Sequence, residues 1–291
     1  MYSYIKSRGY VLSVHLKQIM RWRNSSDPYL SGDAFADLAD VYVFPPKYRK
    51  RAPKLRAILK ARIIFCPSDK LNEFLDEYAG LIHPKIIISG NSDFEFHELP
   101  NNIPPSVRML LLQNSFISDN QRVFTMPIGV ENLRLGVNGH PKLFRYTKIP
   151  PLARERVLFG PFSSTHPIRL EINKIFTNIP ATWEFMHSRI SPRKYRKIIE
   201  NEFEYVVCPR GNGVDTHRLW ETLYRGRKAI ISTDEWSNSI TFLSSVVCSV
   251  SEWTLSEVSN ASKQSVPDFD PVAIPELWIP FWRELIFKHL D

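Results

Sequence analysis

The sequence predicts an α/β protein built in two halves, and three observations carry that expectation. Short aliphatic runs alternate with segments whose apolar residues recur at helical spacing, as in a parallel sheet covered on both faces. Residues 133–156 lack that periodicity, hold Gly136, Gly139, Pro141, Pro150 and Pro151, and divide the chain near its middle. In the second half, a strand runs through a glycine-bearing loop into a helix, the make-up of a phosphate-binding turn.

In the first half, residues 52–62 carry Leu55, Ile58 and Leu59 at helical spacing with bases around them, which predicts a basic amphipathic helix. Arg62–Cys66 is a strand. Asp69–Ala79 is a helix with Leu71, Phe74, Leu75 and Tyr78 on one face, and Ser68 or Asp69 can cap it. Lys85–Ser89, Met109–Leu112 and Phe124–Met126 complete the first set of strands.

The second half opens with the strand Val157–Phe159 and the helix Pro167–Phe176, which has Ile168, Ile172 and Ile175 on one side. The helix Pro192–Asn201 follows, with Ser191 as its cap and proline in its first turn. Phe203–Cys208, Lys228–Ser232 and Val246–Val250 read as strands, and Thr216–Tyr224 as a helix ended by Gly226. The expected division is one domain at 1–150 and another at 151–291. The aromatic-rich stretch Pro275–Phe287 is expected to pack on the body, reaching back to the first domain.

Composition narrows the class. Apolar residues make up 43% and charged residues 23%, which excludes a disordered or fibrous chain. The three cysteines, Cys66, Cys208 and Cys248, are far apart, so neither a disulfide framework nor a zinc cluster is expected, and a reducing compartment is. No run approaches the length of a membrane-spanning helix, and Tyr10–Leu16 is too short and mixed for a leader. A cytoplasmic protein, at most peripheral to the inner membrane, is the expectation.

The net charge of +8 is local. Lys47, Arg49, Lys50, Arg51, Lys54, Arg56, Lys60 and Arg62 form a run without an acid. Three readings stand side by side: a solvated helix face, attraction to an anionic membrane surface or glycolipid, and nucleic-acid binding. No nucleic-acid-binding motif accompanies the charge, so no nucleic acid is expected as partner.

The chemistry concentrates in Tyr205–Gly226. Gly211 and Gly213 are expected to take positive φ and let the backbone approach a ligand. The helix start behind them offers free N–H groups, a seat for a phosphate, and Arg210, His217 and Arg218 add charge or donors there. Glu221, four residues beyond His217, can accept from the hydroxyls of a ribose. A plain turn with Asp215 or Thr216 as cap is the alternative.

The run Arg210-Gly-Asn-Gly-Val-Asp-Thr-His-Arg-Leu-Trp-Glu221 closely resembles the donor-site segment of exostosin-like glycosyltransferases and of bacterial relatives that build surface polysaccharides. Ser31–Phe35, Ile88–Asp93, Leu112–Ser115 and Met126–Asn132 resemble further segments of that family, in the same order. The resemblance covers about residues 30–235 and implies a GT-B fold, two Rossmann-like domains facing a cleft. It departs at Gly226–Ile231, and residues 236–291 resemble nothing named.

On that resemblance the protein is a glycosyltransferase that moves a sugar from a nucleotide-sugar to a glycan or lipid-linked acceptor, as in lipopolysaccharide or capsule synthesis. Arg210 and Asp215–Arg218, with Gly211, Asn212, Gly213, Asp215, Thr216, His217, Arg218 and Glu221 as the donor-binding set, hold the diphosphate and stabilise the departing nucleotide. Ser163, Ser164 and Thr165 either donate to the same phosphates or cap the following helix; His166 and Arg169 are weaker candidates. Asp93 is the candidate base for the acceptor hydroxyl, with Glu95 and Glu131 as alternatives. No metal or other cofactor is expected, and Asp268-Phe-Asp270 is read as a loop rather than a metal site. The rivals are another nucleotide-dependent α/β transferase that needs a divalent metal, and a basic nucleic-acid-binding protein.

Overall fold

The computed structural model describes residues 26–46, 52–119, 121–135, 138–144, 156–175, 179, 181, 183–186, 190–264 and 266–290. Lys47, Arg49, Lys50 and Arg51 of the basic run lie outside them, as do Tyr10–Leu16 and much of the expected boundary at 133–156. No helix among the described residues is long and apolar enough to cross a membrane.

The chain folds into two parallel five-stranded sheets, an α/β fold. The first holds β1 (Val41–Tyr42), β2 (Ile63–Pro67), β3 (Ile86–Gly90), β4 (Met109–Gln113) and β5 (Val123–Met126), side by side in chain order. The register Ile63↔Ile86↔Met109 aligns the starts of its three central strands. The second holds β6 (Val157–Phe159), β7 (Trp183–Phe185), β8 (Tyr205–Val207), β9 (Lys228–Ser232) and β10 (Val247–Val250), in the order β10-β9-β8-β6-β7. From β6 the chain steps outward to β7, then returns to lay β8 on the other side of β6. That reversal makes the gap beyond the carboxyl ends of β6 and β8 a topological switch point, where α/β sheets open a crevice for ligands. The first sheet has no such reversal among its described strands.

The expected helices form with trimmed ends, except the one from Pro192, which runs one residue further to Glu202. The described helices are α1 (Gly32–Ala36), α2 (Leu55–Lys60), α3 (Leu71–Tyr78), α4 (Pro167–Ile175), α5 (Pro192–Glu202), α6 (His217–Leu223), α7 (Glu235–Ser239), α8 (Leu255–Ser262) and α9 (Ile279–Lys288). Ser191 caps α5 by accepting from Lys194 N, with Pro192 in the first turn. Neither Ser68 nor Asp69 caps α3, because Ser68–Lys70 forms a 3₁₀ turn ahead of it and the Ser68 hydroxyl accepts from Ser89 Oγ at 3.3 Å instead. In α2 only Ile58 is buried; Leu55 and Leu59 stay exposed.

Three apolar clusters fill the molecule. Ile64, Phe74, Ile87 and Leu110 pack on one face of the first sheet, and Phe159, Tyr205, Ile230 and Val258 on one face of the second. The largest cluster joins the remaining faces and draws in the C-terminal residues. There Trp278 lies 5.3 Å from Tyr29, Trp282 lies 5.6 Å from Phe35, and Ile279 N donates to Pro28 O at 3.0 Å. Trp282 alone, nearly fully buried, is worth roughly 3–5 kcal/mol against truncation to alanine. The C-terminal helix thus clasps the first half while the strands before it complete the second sheet.

Candidate functional site

The switch point is the floor of a cleft of about 510 Å³. The loop after β6 brings Pro161, Ser163 and Thr165 to it, and the loop after β8 brings Gly211, Asn212, Gly213, Asp215 and Thr216. Arg169 of α4, Pro192 and Tyr195 of α5, and His217, Arg218 and Glu221 of α6 add side chains. The first half supplies the facing wall with Asp93, Ile128, Glu131 and Asn138.

Positive charge without a paired acid defines one end. The Arg169 guanidinium donates from Nε to Arg210 O at 2.8 Å, from Nη2 to Pro209 O at 3.2 Å and from Nη1 to Thr165 Oγ1 at 2.9 Å. One side chain therefore ties the two loops of the switch point together. Arg218 donates to Pro161 O, stacks over Phe162 at 5.0 Å and keeps Nη1 buried with no partner among the described residues. Burial first, and the nearby Arg218 charge second, lower the Arg169 pKa to about 10. Neither arginine has a carboxylate within ion-pair distance among the described residues.

Acids and a histidine lie alongside. Glu221 is largely buried, and that burial raises its pKa against the opposing pull of Arg225, His217 and Arg218. His217 Nδ1 sits 2.7 Å from Gly129 O. The Tyr195 hydroxyl is buried beside them with no partner among the described residues. Asp215 is buried too, with one oxygen accepting from Trp220 Nε1 and the other from Ile128 N, both at 2.7 Å. Burial raises its pKa to about 7 although those donors favour the charged form.

The first-half segments singled out in the sequence converge behind this wall. Asn132 Oδ1 accepts from Asp33 N at 2.7 Å, and Asn132 Nδ2 donates to Asn91 Oδ1 at 2.8 Å. Asn91 N in turn donates to Gln113 Oε1 at 2.9 Å, and Asn114 Oδ1 accepts from Asp215 N at 3.1 Å. Four segments, from residues 31–35, 88–93, 112–115 and 126–132, thus form one polar web that sets Ile128–Glu131 against α6.

The expected site residues divide into three groups. Ser163, Gly211, Asn212, Gly213, Asp215, Thr216, His217, Arg218, Glu221 and Asp93 all line the cleft. Asp93 accepts from Asn212 Nδ2 at 3.0 Å across it. Arg210 does not line it: its guanidinium pairs with Glu95, which also faces His97 at 3.6 Å. Ser164 is exposed and does not line it, and the contact at the start of α4 comes from His166, whose Nδ1 accepts from Ile168 N at 3.2 Å.

One expectation is corrected. Gly211 and Gly213 do not take positive φ; the glycines that do are Gly129, Gly160 and Gly226. Their role is close approach, since a Cβ at Gly213 would lie 2.5 Å from Asn114 Nδ2 and one at Gly211 would lie 3.0 Å from Arg169 Nη2. At the expected phosphate seat, the seven-residue helix α6 begins with Thr216 capping Arg218 N, and Asp215 puts a carboxyl at that end. Of the Asp-x-Asp pair, Asp268 faces Lys228 at 3.3 Å and Asp270 caps a 3₁₀ turn.

Arg169 and Tyr195 were not singled out, or only weakly, by the sequence. Arg169 binds backbone carbonyls, which leave no residue pattern, and Tyr195 reaches the cleft only through the placement of α5.

No family model matches the chain, and no curated protein does. Among solved structures the chain is similar to the crystal structure of AviGT4, a glycosyltransferase involved in avilamycin A biosynthesis, with 10% identity and a TM-score of 0.36. That likeness covers 78% of this chain and 83% of the other.

Proposed function

We propose that the protein is a glycosyltransferase of the exostosin-like, GT-B kind. It moves a sugar from a nucleotide-sugar to a glycan or glycolipid acceptor in bacterial surface-polysaccharide synthesis. One observation carries the reading: Arg169 and Arg218 lie side by side at a switch-point cleft with no acid paired to either among the described residues. A diphosphate matches that double charge, and Ser163 and Thr165 add hydroxyls beside it. Glu221, buried one turn into α6, is suited to accept from ribose hydroxyls.

In this reading residues 151–291 bind the donor and residues 1–150 the acceptor, with Asp93, Glu95 and Glu131 as acids on the acceptor side. The guanidinium charge stabilises the departing nucleotide, the role a divalent metal fills in other transferases. The basic run at 47–62 draws the protein to an anionic inner-membrane face. Exposed Leu55 and Leu59 support that, at 51% and 40%, beside Lys54, Arg56 and Lys60. Charge reversal of Lys54, Arg56, Lys60 and Arg62 then weakens binding to anionic vesicles, most clearly at low salt.

The deciding experiment is a melting-temperature panel of UDP-, GDP-, dTDP- and CMP-sugars and free nucleotides, with EDTA present. A ligand at 100 times its Kd stabilises the native state by about 2.7 kcal/mol, a rise of a few degrees. One nucleotide family is expected to stabilise the wild type, and E221A and R218A to lose the effect. A shift seen only after adding a divalent metal or RNA overturns the reading.

A further inference from the structure

We propose that His217 is the general base of the transfer, taking the acceptor hydroxyl proton on Nε2. The inference rests on the glycosyl-transfer reading and assigns that reaction its base and its stereochemistry.

The geometry begins with the Gly129 carbonyl. A carbonyl oxygen only accepts, so the 2.7 Å contact to His217 Nδ1 puts the ring proton on Nδ1. The neutral ring then carries its lone pair on Nε2. No described residue bonds that atom, and the ring lines the cleft. Gly129 itself is held fast: its φ is +68°, a Cβ there would lie 2.1 Å from Leu30 O, and the next residue, Val130, donates to Leu30 O at 2.8 Å. A rigid carbonyl orienting one ring nitrogen and leaving the other free is the arrangement a proton acceptor needs.

The carboxylates around the cleft already carry donors or cations. Asp93 accepts from Asn212, Glu131 accepts from Asn138 N at 2.7 Å, Glu95 pairs with Arg210, and Glu221 faces Arg225 at 3.8 Å. Asp215 is taken by Ile128 and Trp220. Glu221 on the same helix interacts with His217, and Arg218, Asp215 and Glu131 line the same cleft.

The step balances as a single displacement. The acceptor O–H proton passes to Nε2 as that oxygen forms its bond to the anomeric carbon. The bond from the anomeric carbon to the diphosphate oxygen breaks, and its electron pair leaves on the nucleotide beside Arg218 and Arg169. The imidazolium then returns the proton to water. Attack from the face opposite the leaving group inverts the anomeric configuration.

The test uses the full chain and two readouts. First, ¹⁵N NMR of the histidine rings at pH 8, without any ligand, should show His217 protonated on Nδ1; protonation on Nε2 overturns the inference. Second, His217→Asn keeps an N–H for Gly129 O and removes the lone pair. With whichever nucleotide-sugar of the panel stabilises the wild type, and water as acceptor, H217N should release nucleotide roughly 10²- to 10⁴-fold more slowly. It should still show the nucleotide-induced melting shift. A variant with the wild-type rate overturns the base while leaving the donor site standing. A wild type that no nucleotide-sugar stabilises overturns the donor reading, and the base with it.

Discussion

Asp215 and Ile128 are joined by a 2.7 Å hydrogen bond that crosses between the two halves of the chain, carboxylate oxygen to backbone N–H. One residue after Ile128 and two after Asp215, Gly129 O meets His217 Nδ1. Two neighbouring residues of one loop therefore grip two side chains at the start of one helix. The loop is held from behind by Asn132, Asn91 and Asp33, so the polar web of the first half ends in the orientation of α6.

Asp215 should make stability depend on pH. Its native pKa, raised to about 7 by burial, lies above the ordinary carboxylate value near 3.9. Between those values the native state keeps a proton that the unfolded chain has lost. The contribution is therefore lost as pH rises from about 4 to about 7 and is constant above. Urea midpoints measured at pH 5, 6, 7 and 8 should show that decline in the wild type and a shallower one in Asp215→Asn.

Much of the fold was legible because β2, β3, β4 and β9 each hold consecutive buried apolar residues, as doubly covered parallel strands do. β1 and β7, with two and three residues, are too short to show a period, and α1 and α7 span five residues each. Helix α9 escaped for another reason: Ile279, Phe281, Trp282, Leu285 and Ile286 leave it no sharply polar face. In the site, the glycines were found for the wrong reason, since their need is room for Asn114 and Arg169 rather than positive φ. Strand order is not written in local pattern, so the switch point could not be read before the fold.

The three cysteines should be silent in the native protein. All are buried and reduced, and burial raises Cys208 to about 12 and Cys248 to about 11, with Cys66 higher still. The thiolate is the reactive form, so almost none is present at pH 8. Native protein should give no rapid colour with an aromatic disulfide reagent, and all three thiols should react in urea. A fast native thiol would show that one of these cores opens locally.

Gly213→Ala separates room from conformation. The backbone there is one an alanine can adopt, but the new methyl would press on Asn114 Nδ2 at 2.5 Å. Asn114 would have to leave the contact through which its Oδ1 accepts from Asp215 N. A loss of roughly 1–3 kcal/mol is expected, with a smaller nucleotide-induced melting shift. Gly211→Ala meets Arg169 Nη2 at 3.0 Å, the movable end of a side chain, and should cost less.

Arg169 offers the sharpest separation of charge from shape. Its guanidinium reaches Arg210 O, Pro209 O and Thr165 Oγ1 at once, and so fastens the loop after β8 to the loop after β6. A lysine keeps the charge but lacks the planar fork, so it can satisfy one of those acceptors and leaves the others to water. If the site needs only positive charge, Arg169→Lys should keep the nucleotide-induced melting shift nearly whole. The three-way hydrogen bonding argues otherwise: both R169K and R169A should lose most of that shift, with the alanine variant also about 1–3 kcal/mol less stable. Urea unfolding without ligand gives the stability term, and the ligand-induced shift, compared across the two variants, gives the part that depends on holding the loops together.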